Sequence, residues 1–343
     1  MSAAPEEVLR VEGLSVAIDV PAGRLHAVSD VDLHVGRGET LCIVGESGCG
    51  KTMTSLGIMG LLPRRARLTA KRLALEGRDL LVLSEKGRAA LRGDRMAMIF
   101  QDPMTSLNPV YTIGNQMEEI FLHHGKGGHK EARERAEYLL HKVGISAAAS
   151  RLGQYPHQLS GGLRQRAMIA MTLMCDPTLI IADEPTTALD VTIQAQILHL
   201  LHDLQREYRM ALILITHDLG VVARMADRVL VMYAGQVVET GTAEEVFAAP
   251  LHPYTRGLLD CIPIPGKTAR GAPLGSIPGM VPSLLGPITS CQFRNRCPHA
   301  FADCAAAPVP LRQTAPGRTT RCLLTTPAPA RPRRASETLG AAE

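Results

Sequence analysis

Aromatic residues are scarce in this chain of 343 residues, which contains no tryptophan and is only 3% aromatic. Proteins that bind single-stranded nucleic acid without sequence preference stack the bases on aromatic side chains, so this scarcity argues against such a function. The net charge of +4 is also too small to form the basic footprint of a DNA-binding domain. We therefore expect no nucleic-acid partner.

Long apolar runs are missing as well. No stretch approaches the roughly 18 apolar residues that a membrane-spanning helix needs, and residues 1–10 lack the apolar core of a signal peptide. We therefore expect a cytoplasmic chain that reaches a membrane only through a partner. The length predicts one large domain with an appendage.

One glycine-rich stretch organises the sequence. Residues 45–52 fit the pattern G-x-x-x-x-G-K-S/T, between an apolar run and a helix-like run. The stretch consists of Gly45, Glu46, Ser47, Gly48, Cys49, Gly50, Lys51 and Thr52. Its glycines allow backbone N–H groups to point inward at phosphates, and the following helix adds its positive end. Lys51 is expected to reach the outer phosphates of a nucleoside triphosphate, and Thr52 to ligate Mg²⁺.

Three further apolar runs end in polar side chains. Residues 96–100, 179–182 and 211–215 resemble buried strands, and helical patterns alternate with them, which predicts an α/β fold around a parallel sheet. The polar residues that follow these runs are Gln101, Asp183, Glu184 and His217. Ligands of open parallel sheets bind beyond the carboxyl ends of the strands. We therefore expect these side chains to converge on the phosphate loop.

Phosphoryl transfer depends mainly on positioning and charge neutralisation, which assigns a role to each converging side chain. Asp183 would hold Mg²⁺, and Glu184 would act as general base or orient the attacking water. Gln101 would contact both the water and the metal, and His217 would hydrogen-bond to the γ-phosphate. Taken singly, an Asp-Glu pair after a strand is more often a solvated loop, and a lone histidine a core residue. Beside the phosphate loop, the catalytic interpretation is favoured.

A second glycine-opened helix start follows in the sequence LSGG, where Ser160 is a good N-cap and Gly161 and Gly162 begin the helix. One interpretation is an ordinary capped helix. The other is an anion site that contacts the nucleotide held by a second subunit. Residues 101–175, which lead into this motif, are predicted to form a mainly helical inserted subdomain, and residues 8–35 a hairpin.

Residues 8–250 resemble the ATP-binding subunits of ABC transporters. The segment LSGGLRQR, residues 159–166, is similar to the family's signature motif, and residues 188–190, which end in Asp190, to its D-loop. Gln101 matches the Q-loop and His217 the switch histidine. The resemblance implies two subunits that sandwich two ATP molecules head to tail, each held between one phosphate loop and the other subunit's signature motif. Hydrolysis would open the sandwich and drive the membrane subunits, whose coupling helices would dock near Gln101.

The segments 98–109, MIFQDPMTSLNP, and 250–259, PLHPYTRGLL, resemble the ATPases of oligopeptide and dipeptide importers, most closely the D-type subunit. The resemblance implies ATP-driven peptide import at the cytoplasmic face of the membrane. It also implies an F-type ATPase partner, two transmembrane permeases and, indirectly, an extracytoplasmic peptide-binding protein. Alternatives are an importer of nickel or another small solute, and a non-transport ATPase or sensor.

The implied fold is an ABC-type P-loop ATPase core with an N-terminal antiparallel hairpin region and a helical insertion, followed by a small loop-rich cysteine domain. The predicted boundaries are residues 1–250, 251–324 and a disordered tail at 325–343. One departure concerns Ile18, which occupies the place of the family's adenine-stacking aromatic unless the hairpin alignment is shifted by one residue. An aliphatic side chain would keep apolar contact but lose the stacking.

Four of the eight cysteines cluster late in the chain with the spacing C-x5-C-x6-C-x17-C: Cys291, Cys297, Cys304 and Cys322. A reducing compartment disfavours disulfides. Four thiolates suit Zn²⁺ or an iron–sulfur cluster, although the tight C-x2-C pairs of zinc ribbons are missing, and reduced structural thiols are a third possibility. The resemblance to peptide-importer ATPases implies a [4Fe-4S] cluster. Its role, a structural staple or a redox sensor, stays open.

Overall fold

The computed structural model describes residues 6–187, 189–262 and 275–325. The strands are β1 (Glu7–Val20), β2 (Gly23–Gly36), β3 (Thr40–Val44), β4 (Ala66–Thr69), β5 (Arg72–Leu75), β6 (Arg78–Asp79), β7 (Met96–Ile99), β8 (Leu179–Asp183), β9 (Ala211–Thr216), β10 (Arg228–Tyr233), β11 (Gln236–Thr242), β12 (Arg312–Ala315) and β13 (Arg318–Thr320). The α-helices are α1 (Lys51–Met59), α2 (Glu85–Ala89), α3 (Pro103–Ser106), α4 (Ile113–His123), α5 (His129–Lys142), α6 (Ala148–Arg151), α7 (Gly161–Thr172), α8 (Val191–Tyr208), α9 (Leu219–Met225), α10 (Ala243–Ala248), α11 (Pro253–Asp260) and α12 (Asp303–Ala306).

An eight-stranded sheet in the order β12-β13-β11-β10-β3-β9-β8-β7 forms the centre of the molecule. Its strands β10, β3, β9, β8 and β7 pair in parallel, so their carboxyl ends share one edge. Every residue of β3, β7, β8 and β9 is buried, as expected for parallel strands covered on both faces. The predicted α/β fold around a parallel sheet is confirmed.

The two faces of this sheet pack against different layers. In β3, Leu41 and Ile43 join the apolar cluster formed with the N-terminal sheet, while Cys42 and Val44 join the cluster formed with the helices. This alternation follows from the two-residue period of a strand. The N-terminal sheet has the order β2-β1-β5-β6, with β4 also paired to β1. The hairpin β1–β2 covers the predicted residues 8–35 and brings β2 against the phosphate loop.

The helical segment lies between β7 and β8. It contains α3 to α7, and its interior is formed by apolar side chains at helical spacing, including Met117, Leu139, Leu140 and Ile169, all fully buried. These side chains join the cluster that covers one face of the central sheet. The insertion therefore packs as a helical layer on the sheet that carries Gln101 at the end of β7.

The C-terminal segment contributes two strands to the central sheet, which its loop-rich sequence did not predict. Strand β13 pairs with β11, and β12 pairs with β13. The Thr240 and Thr319 hydroxyls lie 2.7 Å apart across this pairing, and the buried Arg321 donates from Nε to the Val237 carbonyl at 2.8 Å. The sequence RQTAPGRTT has no apolar alternation, so its strands form because an open edge of β11 offers hydrogen-bond partners. The predicted tail, residues 325–343, lies outside the described residues except for Thr325.

Candidate nucleotide site

The phosphate loop follows buried β3 and leads directly into α1. Gly45 has φ +154°, and a Cβ atom there would lie 2.2 Å from the Met232 carbonyl oxygen. Gly50 has φ +104°, and a Cβ atom there would lie 2.5 Å from the Ala27 carbonyl oxygen. Only glycine accommodates both the backbone conformation and the close approach. The two glycines therefore let the loop fold tightly between β2 and the end of β10.

The ammonium group of Lys51 lies inside this loop. Its side chain is only 5% exposed, and Nζ donates to the carbonyl oxygens of Gly45 at 2.8 Å and Glu46 at 3.1 Å. Nζ also lies 3.9 Å from Glu184 Oε1. The structure therefore brings the predicted phosphate-binding lysine next to the predicted general base.

Thr52 and Asp183 meet across the edge of the sheet. The Thr52 hydroxyl donates to Asp183 Oδ1 at 3.2 Å. Burial raises the pKa of the Asp183 carboxyl above its ordinary value, while the Thr52 hydrogen bond opposes this shift. A carboxylate and a hydroxyl oxygen at this spacing form a donor set that suits Mg²⁺. A cation bound there would favour the charged carboxylate, so the pair fits the predicted metal site.

Glu184 is the hub of the site. Its Oε2 accepts hydrogen bonds from Gln101 Nε2 at 3.0 Å and from the Thr187 hydroxyl at 3.1 Å, and it lies 3.6 Å from His217 Nδ1. Glu184 has φ +45°, a conformation that is uncommon outside glycine and clusters at functional sites. Its backbone N–H donates to the Ile215 carbonyl at 2.9 Å. The adjacent ends of β7, β8 and β9 thus place Gln101 and His217 beside the Glu184 carboxylate.

The other predicted nucleotide-binding residues lie on separate elements. Ser160 caps α7 by accepting from the Leu163 N–H at 3.4 Å, and Asp190 caps α8 by accepting from the Ile193 N–H at 2.9 Å. These two helix starts are neighbours, since a Cβ on Gly162 would lie 3.0 Å from Ile193 Cγ2. No hydrogen bond or ion pair of the described residues joins Ser160 or Gly161 to the phosphate loop. Ala188 of the predicted D-loop lies outside the described residues.

Ile18 lies on the hairpin next to the phosphate loop. It pairs with Leu25 of β2 and with Ala66 of β4. Leu25 is two residues before Ala27, whose carbonyl approaches Gly50. The half-buried Ile18 side chain therefore lies in the part of the N-terminal sheet that borders the loop.

Comparison with known proteins identifies the family. A model described as "ABC transporter" matches residues 28–187, and one described as "Oligopeptide/dipeptide transporter, C-terminal region" matches residues 238–304. A putative peptide import ATP-binding protein of Brucella abortus is 50% identical over 328 residues, which cover 93% of this chain and 97% of the relative. The dipeptide transport ATP-binding protein DppD of Escherichia coli is 50% identical over 92% of this chain and 96% of its own length. The chain belongs to the ATP-binding subunits of the oligopeptide/dipeptide ABC transporter family.

Solved structures agree with this family. A dimeric ATP-binding cassette in a post-hydrolysis state with ADP and phosphate bound is 26% identical and superposes with a TM-score of 0.62, covering 68% of this chain and 98% of that chain. The protein cbiO1 of Clostridium perfringens, part of an ABC transporter complex, is 29% identical with a TM-score of 0.61 and covers 71% and 92% of the two chains. As an ABC transporter ATPase, this chain binds and hydrolyses ATP. The resemblance inferred from the motifs is confirmed.

The four late cysteines of this ABC subunit lie within electrostatic reach of one another. Burial is the main cause that raises the pKa of the Cys322 thiol, and the thiols of the other three add to it. The Cys291 N–H donates to the Cys304 carbonyl at 3.0 Å. Burial is also the main cause that raises the pKa of the Cys291 and Cys297 thiols, while backbone hydrogen bonds oppose the rise in pKa at Cys291, Cys297 and Cys322. Nevertheless, among the described residues no three His, Cys, Asp or Glu side chains form a group that could hold a metal ion.

Sequence reasoning missed several residues that contact the site. Thr187 bonds directly to Glu184, and Tyr254 and Arg296 both contact Glu46 of the phosphate loop. Thr187 lies only three residues after Glu184, so its position in the sequence could have indicated this contact. Tyr254 and Arg296 are 208 and 250 residues from Glu46, so spacing in the sequence held no sign of their contact.

Proposed function

We propose that this chain is the subunit whose ATP hydrolysis powers import of di- and oligopeptides across the cytoplasmic membrane. The observation that supports hydrolysis best is the convergence on Glu184, where Gln101, Lys51 and His217 all lie within 3.9 Å of one carboxylate. The names of the relatives support peptides as the cargo. An importer of nickel or another small solute is the second candidate, because an ABC ATPase does not need to contact the transported molecule.

The roles of the site residues follow from their geometry. The loop amides and Lys51 bind the phosphates of ATP, and Glu184 orients the attacking water and takes up its proton. Gln101 and Thr187 hold the Glu184 carboxylate in one orientation, and His217, at 3.6 Å from the same carboxylate, contacts the γ-phosphate. Thr52 and Asp183 would hold Mg²⁺, which neutralises charge on the phosphates when bound.

A partner subunit is part of this proposal. Ser160, Gly161 and Gly162 start a 12-residue helix whose N-terminus is exposed and favours anions, while Asp190 starts the helix beside it. We assign these residues to the nucleotide bound by the partner, as in a head-to-tail sandwich. The motifs of the D-type subunit favour an F-type ATPase as this partner. Ile18 would contact adenine through apolar surface alone.

Permease subunits are the second class of partner. A cleft of about 240 Å³ lies between the sheet and the helical segment, lined by apolar side chains that include Leu61, Phe100, Leu107 and Met171. Exposed apolar residues continue beside it: Met104 is 53% exposed, Val110 71% and Tyr111 52%. This surface next to Gln101 suits an apolar helix of a permease. Through such permeases the chain would sit peripherally at the cytoplasmic face of the membrane. In the described part of the chain no helix is long and apolar enough to cross a membrane.

The cysteine segment would hold a [4Fe-4S] cluster through Cys291, Cys297, Cys304 and Cys322. The donor set of four thiols suits such a cluster. Backbone hydrogen bonds, which oppose the rise in the pKa of three of these thiols, would help to stabilise the thiolates that a cluster requires. Formation would require the side chains to close up from their positions in this structure, where they form no ready metal site.

Replacing Glu184 by Gln tests the catalytic proposal. We expect ATP hydrolysis to fall roughly 100- to 10,000-fold, the usual contribution of a general base, while ATP binding is retained because the amide keeps the size and hydrogen bonds of the carboxylate. The control is Glu207→Gln, an exposed carboxylate paired with Lys142. Hydrolysis by Glu184→Gln at the wild-type rate would refute the assignment. Uptake of a labelled dipeptide, compared with uptake of Ni²⁺, by vesicles that carry the assembled transporter distinguishes the two cargoes.

A further inference from the structure

The C-terminal segment holds the phosphate loop at Glu46 by two independent contacts. Arg296 forms a bidentate ion pair with the Glu46 carboxylate, at 2.6 Å from Nη1 to Oε2 and 2.9 Å from Nη2 to Oε1. The Glu46 backbone N–H also donates to the Tyr254 hydroxyl at 2.8 Å. One residue of the loop is therefore gripped through both its side chain and its main chain.

Hydrogen bonds within the C-terminal segment hold the Arg296 side chain in place. Its Nε donates to the Pro278 carbonyl at 2.9 Å, and its Nη2 donates to the Ile277 carbonyl at 3.0 Å. The side chain is only 5% exposed, and the guanidinium carbon lies 5.8 Å from the centre of the Tyr233 ring. A planar guanidinium held in this way loses little further freedom when it binds a carboxylate. The ion pair is thus part of a rigid framework and not an exposed surface pair.

Tyr254 is fixed as firmly by aromatic packing. It is fully buried, and its ring lies 4.6 Å from that of Tyr233 and 5.5 Å from that of Phe293. Tyr233 ends β10 of the ATPase sheet, Tyr254 lies on α11, and Phe293 lies between two of the late cysteines. These three rings join the sheet to the cysteine segment directly behind the phosphate loop.

The contacts to Glu46 affect nucleotide binding because Glu46 helps to position Lys51. The carbonyl oxygens of Gly45 and Glu46 are the two acceptors that hold Lys51 Nζ. Gly45 has φ +154°, and a Cβ atom at this position would lie 2.2 Å from the Met232 carbonyl oxygen. Fixing Glu46 therefore fixes the peptide groups that orient Lys51, and leaves the later loop amides free to face phosphate.

We propose that Arg296 and Tyr254 are positioning residues for ATP binding, through which the C-terminal segment maintains the phosphate loop in its binding conformation. The proposal rests on the proposed ATPase function and adds residues from outside the ATPase motifs to it. Pre-organisation of a binding loop increases affinity by lowering the cost of ordering it. Loss of either contact should therefore weaken ATP binding more than it slows hydrolysis at saturating ATP.

The test measures the Kd for ATP by titration calorimetry, and kcat and KM by phosphate release, for the full chain and five variants: Glu46→Gln, Arg296→Ala, Arg296→Lys, Tyr254→Phe and the double variant Glu46→Gln/Arg296→Ala. We expect Arg296→Ala and Glu46→Gln each to raise the Kd about tenfold. The Kd of the double variant should be no higher than that of Arg296→Ala, because both changes remove the same ion pair. Arg296→Lys keeps the charge but loses the bidentate geometry, so it should be intermediate. Tyr254→Phe should raise the Kd severalfold. In each variant kcat should change less than KM.

Arg294→Ala is the matched control, since it removes a guanidinium from the same segment two residues away. It should bind ATP like the wild type. The proposal is overturned if Glu46→Gln and Arg296→Lys, which retain bulk and are expected to fold, bind ATP within twofold of the wild type. It is also overturned if the effects of Glu46→Gln and Arg296→Ala multiply in the double variant. Failure of the wild-type chain to bind ATP would instead refute the proposed function.

Discussion

His252 allows a quantitative prediction about pH. The imidazole is 2% exposed, and burial, reinforced by the charge of Arg321, lowers its pKa to about 3. The ring must stay neutral, because Nδ1 accepts a hydrogen bond from the Tyr254 N–H at 3.0 Å and thereby caps α11. Glu239 also contacts this residue, since its Oε2 accepts from the His252 N–H at 2.9 Å. The perturbation we propose is His252→Asn, which retains a capping oxygen and removes the titration.

The size of the effect follows from the two pKa values. Histidine in the unfolded chain has a pKa of about 6.5, well above that of the folded chain. Between these values the unfolded chain binds a proton that the folded chain does not, so the contribution of neutral His252 is complete above pH 6.5 and is lost as the pH falls. At pH 5.5 the loss relative to pH 8 is about 1.4 kcal/mol, and at pH 4.5 about 2.7 kcal/mol.

Urea unfolding at pH 8, 5.5 and 4.5 measures this effect. The free energy of unfolding of the wild type minus that of His252→Asn should fall by about 1.4 kcal/mol between pH 8 and pH 5.5. Groups other than residue 252 are common to both proteins, so their contributions cancel in the difference. The control is His199→Asn, which removes a histidine whose side chain is 80% exposed, and its difference from the wild type should change less with pH than that of His252→Asn. A difference for His252→Asn that does not change with pH would refute the reasoning.

Three further predictions concern the phosphate loop and the cysteines. Gly45→Ala should abolish ATP binding and destabilise the chain by about 1–3 kcal/mol, because the new methyl group meets the Met232 carbonyl; calorimetry and urea unfolding measure both effects. Thr52→Val should weaken binding of ATP with Mg²⁺ by about 1.5–3 kcal/mol, with little effect when Mg²⁺ is chelated, as Kd measurements in both conditions would show. Cys297→Ser should lower the iron content and visible absorbance of anaerobically purified protein from about four irons per chain.

The matching controls lie elsewhere in the chain. Gly38 also has a positive φ, but no atom lies within 4 Å of a Cβ added there, so the Gly38→Ala variant should bind ATP normally. Equal loss of binding in Gly45→Ala and Gly38→Ala would contradict the steric argument. Equal weakening for Thr52→Val with and without Mg²⁺ would contradict a metal-linked role. Cys261→Ser should retain all the iron, and an iron-free wild-type preparation would refute the cluster.

The geometry of the candidate nucleotide site was predictable because its parts obey local rules. A glycine loop between a strand and a helix predicts phosphate binding. The apolar runs before Gln101, Asp183 and His217 predicted buried parallel strands. Parallel strands end at a common edge, so the convergence on Glu184 followed from topology without knowledge of distances. The strands β12 and β13 were not predictable, since their residues carry no apolar period and their pairing depends on the free edge of β11.

The sequence alone therefore determined the family, the α/β fold and the side chains that meet at the phosphate loop, because each depends on local pattern and on the direction of parallel strands. Only the tertiary structure showed which residues of the C-terminal segment contact that loop. Glu46 sits in the motif as an unspecified position, yet its carboxylate holds Arg296 and its N–H holds Tyr254. Contacts between residues so far apart in the chain arise from the packing of Tyr233, Tyr254 and Phe293, which buries the C-terminal segment against the sheet. No spacing within the sequence encodes that packing.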